Sequence, residues 1–169
     1  MSNLYKYTMP SIVGDIVLLT SEKGLCFVGL PNIEQAIVDR FVKRNYPEAT
    51  VMDDLQKNKR AFTQIKSYLD GKLTRFELDL DLCVDGFTRE VLDVVARIPY
   101  GELRTYKEIA KAIGQPGAAQ AVGNANGANP IPIIIPCHRV VASNGLGGYG
   151  GGLALKKKLL AIEQKDTLF

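Results

Sequence analysis

The sequence has little histidine and cysteine, and it has no tryptophan. Its 169 residues include one histidine, His138, and three cysteines, Cys26, Cys83 and Cys137. A zinc site built on several histidines is therefore excluded, and the absence of a C-x2-C pair argues against a structural zinc site. No G-x-x-x-x-G-K-[ST] loop is present, which excludes the usual nucleotide hydrolases. We expect no metal and no other cofactor.

Long apolar runs and targeting segments are also missing from the sequence. No run approaches the roughly 20 apolar residues that a membrane span needs. The first 15 residues lack the basic stretch followed by an apolar stretch that marks a secretory signal. With so few cysteines, these features predict a cytoplasmic protein with no membrane partner. Hydrophobic residues make up 46% of the chain and charged residues 23%, a composition typical of globular proteins.

Positive charge is concentrated in the second half of the chain. The net charge is −1 for residues 1–85 and +4 for residues 86–169. A basic half is compatible with a polyanionic partner, although many basic faces are merely solvated.

The first half has the pattern of a small α/β unit. Four segments are predicted to be strands: 4–9, 14–20, 24–30 and 76–82, the last because apolar and acidic residues alternate in it. Apolar residues at helical spacing predict helices over 33–46 and 54–69. The stretch 83–86 is the predicted boundary, which gives domains 1–85 and 86–169.

The second half is predicted to be mainly helical. An amphipathic helix spans 87–98, and a capping box of Thr105 and Glu108 opens a helix that ends near Ile113. A short turn then leads to a helix over 118–125, and this pair is a helix-turn-helix candidate. Three prolines between 129 and 136 exclude a regular helix there and favour an extended path. A glycine-rich loop and a final helix over 153–163 complete the chain.

The segment 114–137 contains no charged residue. Its small-residue helix is either packed in the core or pressed into a groove of a partner. If that partner is a nucleic acid, its phosphates would meet backbone amides or the nearby side chains of Arg104, Lys107 and Arg139.

Cys137 is the only cysteine next to the only histidine. A thiolate is the reactive form of cysteine, and a nearby base or positive charge favours it. Neighbouring side chains rarely face each other, so His138 would act on Cys137 through a water, and an acid would have to orient His138. Glu163 is the best candidate for that acid. Cys26 and Cys83, in apolar strand contexts, are interpreted as buried core residues.

The residues around Cys137 carry a family resemblance. The segment 135–141 (IPCHRVV) resembles the active-site signature of the O6-alkylguanine-DNA alkyltransferases, also called methylated-DNA–protein-cysteine methyltransferases. Similar motifs occur at 118–123, 129–132, 151–153 and 159–163, so the resemblance covers essentially all of 87–169. The first half resembles the family's N-terminal domain only in the order of its elements.

The resemblance implies a fold and a function. The expected fold is an α/β N-terminal domain, ribonuclease-H-like with a small antiparallel sheet and helices, followed by a mainly α, winged-helix-like C-terminal domain with the helix-turn-helix. The expected function is direct-reversal DNA repair by a single-turnover, suicidal methyltransferase. It would flip O6-alkylguanine, and less readily O4-alkylthymine, out of double-stranded DNA and transfer the alkyl group irreversibly to its own cysteine. We expect a monomer that is associated with the nucleoid when bound to DNA.

The resemblance also implies roles for individual residues. Cys137 would accept the alkyl group, His138 would be the water-mediated base, Glu163 its orienting partner, Asn129 a support for the turn, and Tyr106 a donor to the guanine. The residues implied in DNA binding are Thr105, Tyr106, Ala118, Gln120, Ala121, Gly123, Asn124 and Arg139. Those implied in the alkylguanine pocket are Tyr106, Asn126, Cys137, Val140, Tyr149 and Gly150.

One departure from the family pattern concerns DNA binding. Many members have arginine where this chain has Gln120, which brings no charge, so we expect weaker DNA affinity with a flatter salt dependence.

Two other functions remain as alternatives to the alkyltransferase. One is a non-repairing module that recognises alkylated bases, although proteins of that kind replace the acceptor cysteine. The other is a cysteine hydrolase that uses Cys137 and His138 over many turnovers.

Overall fold

The computed structural model describes residues 2–164. The chain divides into two compact units, Met1–Cys83 and Val84–Phe169. Each unit buries its own set of apolar side chains. The division into domains 1–85 and 86–169 stays a prediction.

The first unit is built on a four-stranded sheet. Its strands are β1 (Asn3–Met9), β2 (Ile16–Thr20), β3 (Leu25–Gly29) and β4 (Thr50–Asp53), and their order across the sheet is β3-β2-β1-β4. Helix α1 (Gln35–Asn45) lies between β3 and β4 in the chain. It provides the crossover that two parallel strands require, and β4 therefore runs parallel to β1. The sheet is therefore mixed, and the prediction of an antiparallel sheet is wrong for the pairing of β4. The sequence did not predict β4 as a strand.

Helix α2 (Leu55–Leu69) follows β4 directly. The side chain of Asp54 accepts a hydrogen bond from the amide of Lys57, which caps the start of the helix. Its buried face presents Ala61, Ile65 and Tyr68 to the core.

The predicted strand over 76–82 is not a strand. It forms one isolated bridge, between Leu80 and Leu25 at the outer edge of β3. The amide of Leu25 donates to the carbonyl of Asp79, and the amide of Asp81 donates to the carbonyl of Leu25, each over 2.9 Å. The approach is close because Gly24 has no side chain, and a Cβ there would lie 2.4 Å from the Asp79 oxygen. The alternation of apolar and acidic residues in this segment therefore accompanies one isolated bridge to β3 and not a continuous strand pairing.

The second unit is mainly helical, as predicted. Its helices are α3 (Gly86–Val95), α4 (Tyr106–Ala112), α5 (Ala119–Gly127) and α6 (Leu153–Gln164). Two short parallel strands, β5 (Arg104–Thr105) and β6 (Val140–Val141), pair between these helices. This pairing fixes the start of α4 beside the segment that follows Cys137.

Candidate active site and DNA-binding surface

The proline-rich segment before Cys137 is a buried loop held at both ends by Asn129. Its side-chain amide donates to the carbonyl of Ile135 over 2.9 Å, and its Oδ1 accepts from the amide of Ile131 over 2.9 Å. Between these contacts Ile133 is fully buried with a φ of 73°, a left-handed conformation that strains a β-branched residue. The loop folds back on itself, and this corrects the predicted extended path.

Cys137 begins a single turn of 3-10 helix, Cys137–Arg139. The amide of Cys137 donates to the carbonyl of Ile135 over 2.7 Å, and the amide of Arg139 donates to the carbonyl of Pro136 over 2.9 Å. All three side chains of the turn are buried.

Glu163, near the end of α6, contacts this turn although it lies 25 residues after His138 in the chain. Its Oε2 lies 2.6 Å from His138 Nε2, and its Oε1 accepts from Arg139 Nε over 2.8 Å. The amide of Gly101 donates to the same Oε1 over 3.1 Å. His138 and Glu163 are fully buried. The carboxylate therefore holds the imidazole in one orientation, and the arginine compensates its charge.

The surroundings of Cys137 act on its thiol in opposite directions. Burial raises its pKa to about 11, whereas a hydrogen bond from Asn129, the positive charge of Lys156 and backbone hydrogen bonds lower it. Burial lowers the pKa of His138, against the raising effect of Glu163. A neutral imidazole at neutral pH can accept a proton.

Arg139 is not available to DNA, which corrects the prediction that it is a DNA-binding residue. Its side chain is only 8% exposed. Besides its two bonds to Glu163, the guanidinium donates to the carbonyl of Ile98 over 2.6 Å. A charge that is paired and buried in this way compensates the carboxylate and cannot also reach a phosphate.

Tyr106 lies between α5 and the glycine-rich loop. The predicted capping box is confirmed, since Thr105 accepts from the Glu108 amide and the Glu108 side chain accepts from the Thr105 amide. With Thr105 as the N-cap residue, Tyr106 is the first residue of α4. The Gly148 amide donates to the Tyr106 hydroxyl over 3.3 Å, and a Cβ on Gly147 would lie 2.5 Å from that oxygen. Only glycine at 147 leaves room for the phenol.

Two buried polar atoms near Cys137 have no hydrogen-bond partner among the described residues. They are Asn126 Oδ1 and the hydroxyl oxygen of Tyr149. The amide of Asn126 donates to the carbonyl of Cys137 over 3.1 Å, which fixes this side chain beside the cysteine. The ring of Tyr149 packs edge-on against His138, with the ring centroids 6.5 Å apart. Buried polar atoms without partners are costly, and in a native protein they call for an explanation such as a ligand.

The exposed face of α5 is uncharged. Gln120, Ala121 and Asn124 are exposed on it, whereas Val122 and Ala125 are buried beneath. Ala118 and Gly123 are partly buried, and Gly123 lies under the ring of Tyr106. The small-residue helix is therefore neither entirely core nor entirely surface. The face it offers can approach a partner closely.

The structure brings together most of the residues singled out in the sequence. Cys137, His138, Glu163, Asn129 and Asn126 are joined by the contacts above, and Val140 follows the 3-10 turn directly in β6. Gly150 is exposed beyond Tyr149. Their chemical roles stay predictions.

Sequence reasoning missed one buried group beside this site, Lys156. It stands first in a run of three lysines on α6, which is the usual pattern of a solvated face. The leucines at 155, 159 and 160 carry the only signal, because they define a buried stripe that Lys156 adjoins.

Neither metal nor membrane features appear in the described part of the chain. Within residues 2–164 no group of three or more His, Cys, Asp or Glu side chains is arranged to hold a metal ion. No helix described there is both long and apolar enough to cross a bilayer.

Comparison with known proteins places this site in a family. Residues 86–165 match the 6-O-methylguanine DNA methyltransferase, DNA binding domain, and residues 4–82 match the ribonuclease-like domain of the same family. The chain therefore belongs to the 6-O-methylguanine DNA methyltransferases.

Individual relatives agree with this assignment. A methylated-DNA–protein-cysteine methyltransferase of Methanosarcina barkeri is 40% identical over 168 residues, which cover 96% of this chain and 99% of the relative. One of Mycolicibacterium paratuberculosis is 53% identical over 115 residues, 65% of this chain and 70% of that protein. The crystal structure of Mycobacterium tuberculosis OGT in complex with DNA has a TM-score of 0.79 at 37% identity, covering 96% of this chain and 92% of the other. The family resemblance and the enzyme class predicted from the sequence are confirmed.

Proposed function

We propose that this protein repairs DNA by moving the alkyl group of O6-alkylguanine, and less readily of O4-alkylthymine, onto Cys137. The observation that carries the proposal is the buried Cys137 turn, in which His138 Nε2 lies 2.6 Å from Glu163 Oε2. A methylated-DNA–protein-cysteine methyltransferase needs a protein thiol and a means of removing its proton. Cys137 is the only cysteine that lies beside a base.

The reaction is an in-line displacement at the alkyl carbon. His138 takes the thiol proton through a bridging water, and Glu163 stabilises the resulting imidazolium. The sulfur forms a bond to the alkyl carbon while the bond from that carbon to the guanine O6 breaks, and its electron pair leaves with the guanine. Tyr106 donates a hydrogen bond to the departing guanine. The thioether on Cys137 is stable, so each molecule reacts once.

The base reaches the thiol by leaving the duplex. The uncharged face of α5 enters the groove, and Gln120 occupies the space of the flipped nucleotide. Ala118, Ala121, Gly123 and Asn124 allow close approach to the duplex, and Thr105 fixes the start of α4 at the phosphates.

One of the buried polar atoms without a hydrogen-bond partner favours guanine in the pocket. Asn126 Oδ1 is a buried acceptor without a donor, and O6-alkylguanine carries one donor, its exocyclic amino group. O4-alkylthymine carries no such donor, and we therefore expect it to be repaired more slowly. O6-methylhypoxanthine, which lacks the amino group, should react more slowly than O6-methylguanine, and equal rates would contradict this role of Asn126.

We extend the proposal to assembly and fold. The protein acts as a cytoplasmic monomer on double-stranded DNA and joins the nucleoid when bound. Its domains are 1–85, ribonuclease-H-like, and 86–169, winged-helix-like. The family matches over 4–82 and 86–165 support this division.

Mass spectrometry tests the proposal directly. The protein is incubated with a duplex that holds one O6-methylguanine, and with a control duplex that holds guanine. We expect one added methyl group per chain, mapped to Cys137 and never exceeding one equivalent. Tight binding without a mass change would favour the recognition-only module. If neither occurs and acyl substrates turn over many times, the protein is a cysteine hydrolase.

A further inference from the structure

Three consecutive lysines on α6 have different environments. Lys157 and Lys158 are exposed, whereas Lys156 is completely buried. Burying a lysine is costly unless its ammonium group is fully hydrogen-bonded. The burial of Lys156 therefore calls for a structural or chemical explanation.

The ammonium group of Lys156 uses all three of its donors on backbone carbonyls. It donates to Val140 over 2.7 Å, to Leu146 over 2.5 Å and to Gly148 over 3.0 Å. An ammonium group has three donors and no acceptor, so this set is complete. All three acceptors are uncharged, and the positive charge is not cancelled by any of them.

These carbonyls belong to two different parts of the site. Val140 lies in β6, directly after the Cys137 turn. Leu146 and Gly148 lie on either side of Gly147, the residue packed against the Tyr106 hydroxyl, and just before Tyr149. One side chain thus ties the glycine-rich loop to the strand that follows the cysteine. Among the described residues, the regular backbone pairing within the loop is one isolated bridge, between Ala142 and Gly145.

The charge of Lys156 also acts on the cysteine. Burial lowers the pKa of Lys156, whereas the Cys137 thiolate raises it, and the ammonium charge in turn lowers the pKa of the Cys137 thiol. The other ionisable groups around the thiol are His138, Tyr149 and Glu163, and the charge of Glu163 is compensated by Arg139. Lys156 is therefore the uncompensated cation beside Cys137 among these groups.

We propose that Lys156 is a positioning residue for alkyl transfer, which fixes the loop 146–148 against Val140 and supplies the positive charge that stabilises the Cys137 thiolate. The transfer step rests on the proposed function. The loop and the thiolate do not, and they can be measured without DNA.

The test uses Lys156→Met, which keeps the length of the side chain but removes the charge and the donors. Lys157→Met is the matched control, on the exposed neighbour. Alkylation of Cys137 by iodoacetamide is followed against pH by peptide mapping, and hydrogen exchange is followed over 142–150. We expect Lys156→Met to react about tenfold more slowly at pH 8, as a rise of one pKa unit requires. Exchange in the loop should be faster, and Lys157→Met should match the wild type in both.

Lys156→Arg separates the two roles of the lysine. It keeps the charge, but a planar guanidinium cannot point at three diverging carbonyls. We expect faster loop exchange with a Cys137 reactivity close to that of the wild type. An unchanged reactivity and an unchanged loop in a folded Lys156→Met protein would overturn the proposal.

A measurement on the wild type covers the case in which the variants do not fold. Brief acetylation with acetic anhydride should modify Lys157 and Lys158 and spare Lys156. Equal modification of the three lysines would overturn the proposal. Loss of methyl transfer in Lys156→Met with normal iodoacetamide reactivity and loop exchange would also count against it, whereas a wild type that transfers no methyl group contradicts only the proposed function.

Discussion

Both units of this protein bury cysteine thiols in polar surroundings, but the signs of the neighbouring charges differ. In the first unit the Tyr46 hydroxyl donates to Asp81 over 2.6 Å and lies 3.1 Å from the Cys83 sulfur. Burial is the main cause that raises the pKa of Cys26 to about 12. The hydrogen bond with Tyr46 lowers this pKa, and the charges of Cys83 and Asp81 contribute to raising it. Burial and Asp81 also raise the pKa of Cys83, against the lowering effects of Tyr46 and Lys23.

The Cys137 thiol is also buried, and its pKa is raised to about 11. Asn129, Lys156 and backbone amides all favour its thiolate. Burial alone therefore does not separate a structural thiol from a reactive one. The neighbouring charge makes the difference, because Asp81 disfavours the thiolates of the first unit, whereas Lys156 favours that of Cys137.

Removing each thiol in turn gives the largest contrast. Cys137→Ala should abolish methyl transfer from an O6-methylguanine duplex, because no other thiol lies beside a base, while DNA binding is retained. Cys26→Ser and Cys83→Ser are the matched controls and should still transfer one methyl group per folded chain. Quantitative transfer by Cys137→Ala, measured by intact mass, would refute the assignment.

The sequence was sufficient to single out Cys137, His138 and the start of α4 because these signals are local, although it predicted the wrong path for the proline-rich loop. The prolines, the Cys-His pair and the capping box are each contained in a few residues. Glu163 was also found, by elimination among the few acids of the second half. The role of Arg139 could not be predicted, since its inward direction depends on a carboxylate that lies 24 residues away in the chain.

Glu163→Gln should have the next largest effect. It leaves the Arg139 charge buried without a counter-charge, and the loss of one partner of such a pair costs about 3–5 kcal/mol of unfolding free energy. It also removes the group that orients His138, so the transfer rate should fall by about 100-fold, as expected for loss of general base catalysis. Denaturant unfolding and single-turnover transfer measure the two effects.

The control for Glu163→Gln is Glu102→Gln, which breaks the exposed pair with Arg104. It should cost no more than about 1 kcal/mol. Equal losses in the two variants would show that the buried carboxylate has no special role.

The thiols of the two units should also differ in the pH dependence of their reactivity. Because the thiolate reacts, alkylation of Cys137 by iodoacetamide should rise with pH, about tenfold per unit, and level off near its pKa of about 11. Cys26 should level off later, near its pKa of about 12. Peptide mapping of both sites in one sample gives the two curves, and coincident curves would show that the two thiols do not differ in pKa.

The smallest expected effect is on DNA binding. Gln120→Arg adds a positive charge to the exposed face of α5 and should tighten binding by about tenfold at low salt, with about one more counterion released. Fluorescence anisotropy over a salt series measures both quantities. Ala112→Arg, on the last residue of α4, is a control for charge alone, and equal tightening there would mean that Gln120 does not lie in the groove.

Lys156 and β4 show why other parts could not be predicted. Three identical residues in a row give no signal that distinguishes the buried one, since burial is decided by where α6 lies against the glycine-rich loop. The four residues of β4 are all exposed, so they lack the alternation that marks a half-buried strand. Both features are set by tertiary contacts and not by local pattern.

The prolines of the buried segment before Cys137 affect how its backbone hydrogen bonds are satisfied. A buried loop lacks the regular hydrogen bonds of a helix or a strand, and each buried N–H group that it leaves without a partner is costly. Pro130, Pro132 and Pro136 have no N–H group to lose, and the amides of Ile131 and Cys137 already donate to named acceptors. The chain can therefore bring a cysteine to a buried site on a segment that is neither strand nor α-helix. An alanine at any of the three proline positions would restore a donor that the interior must then satisfy.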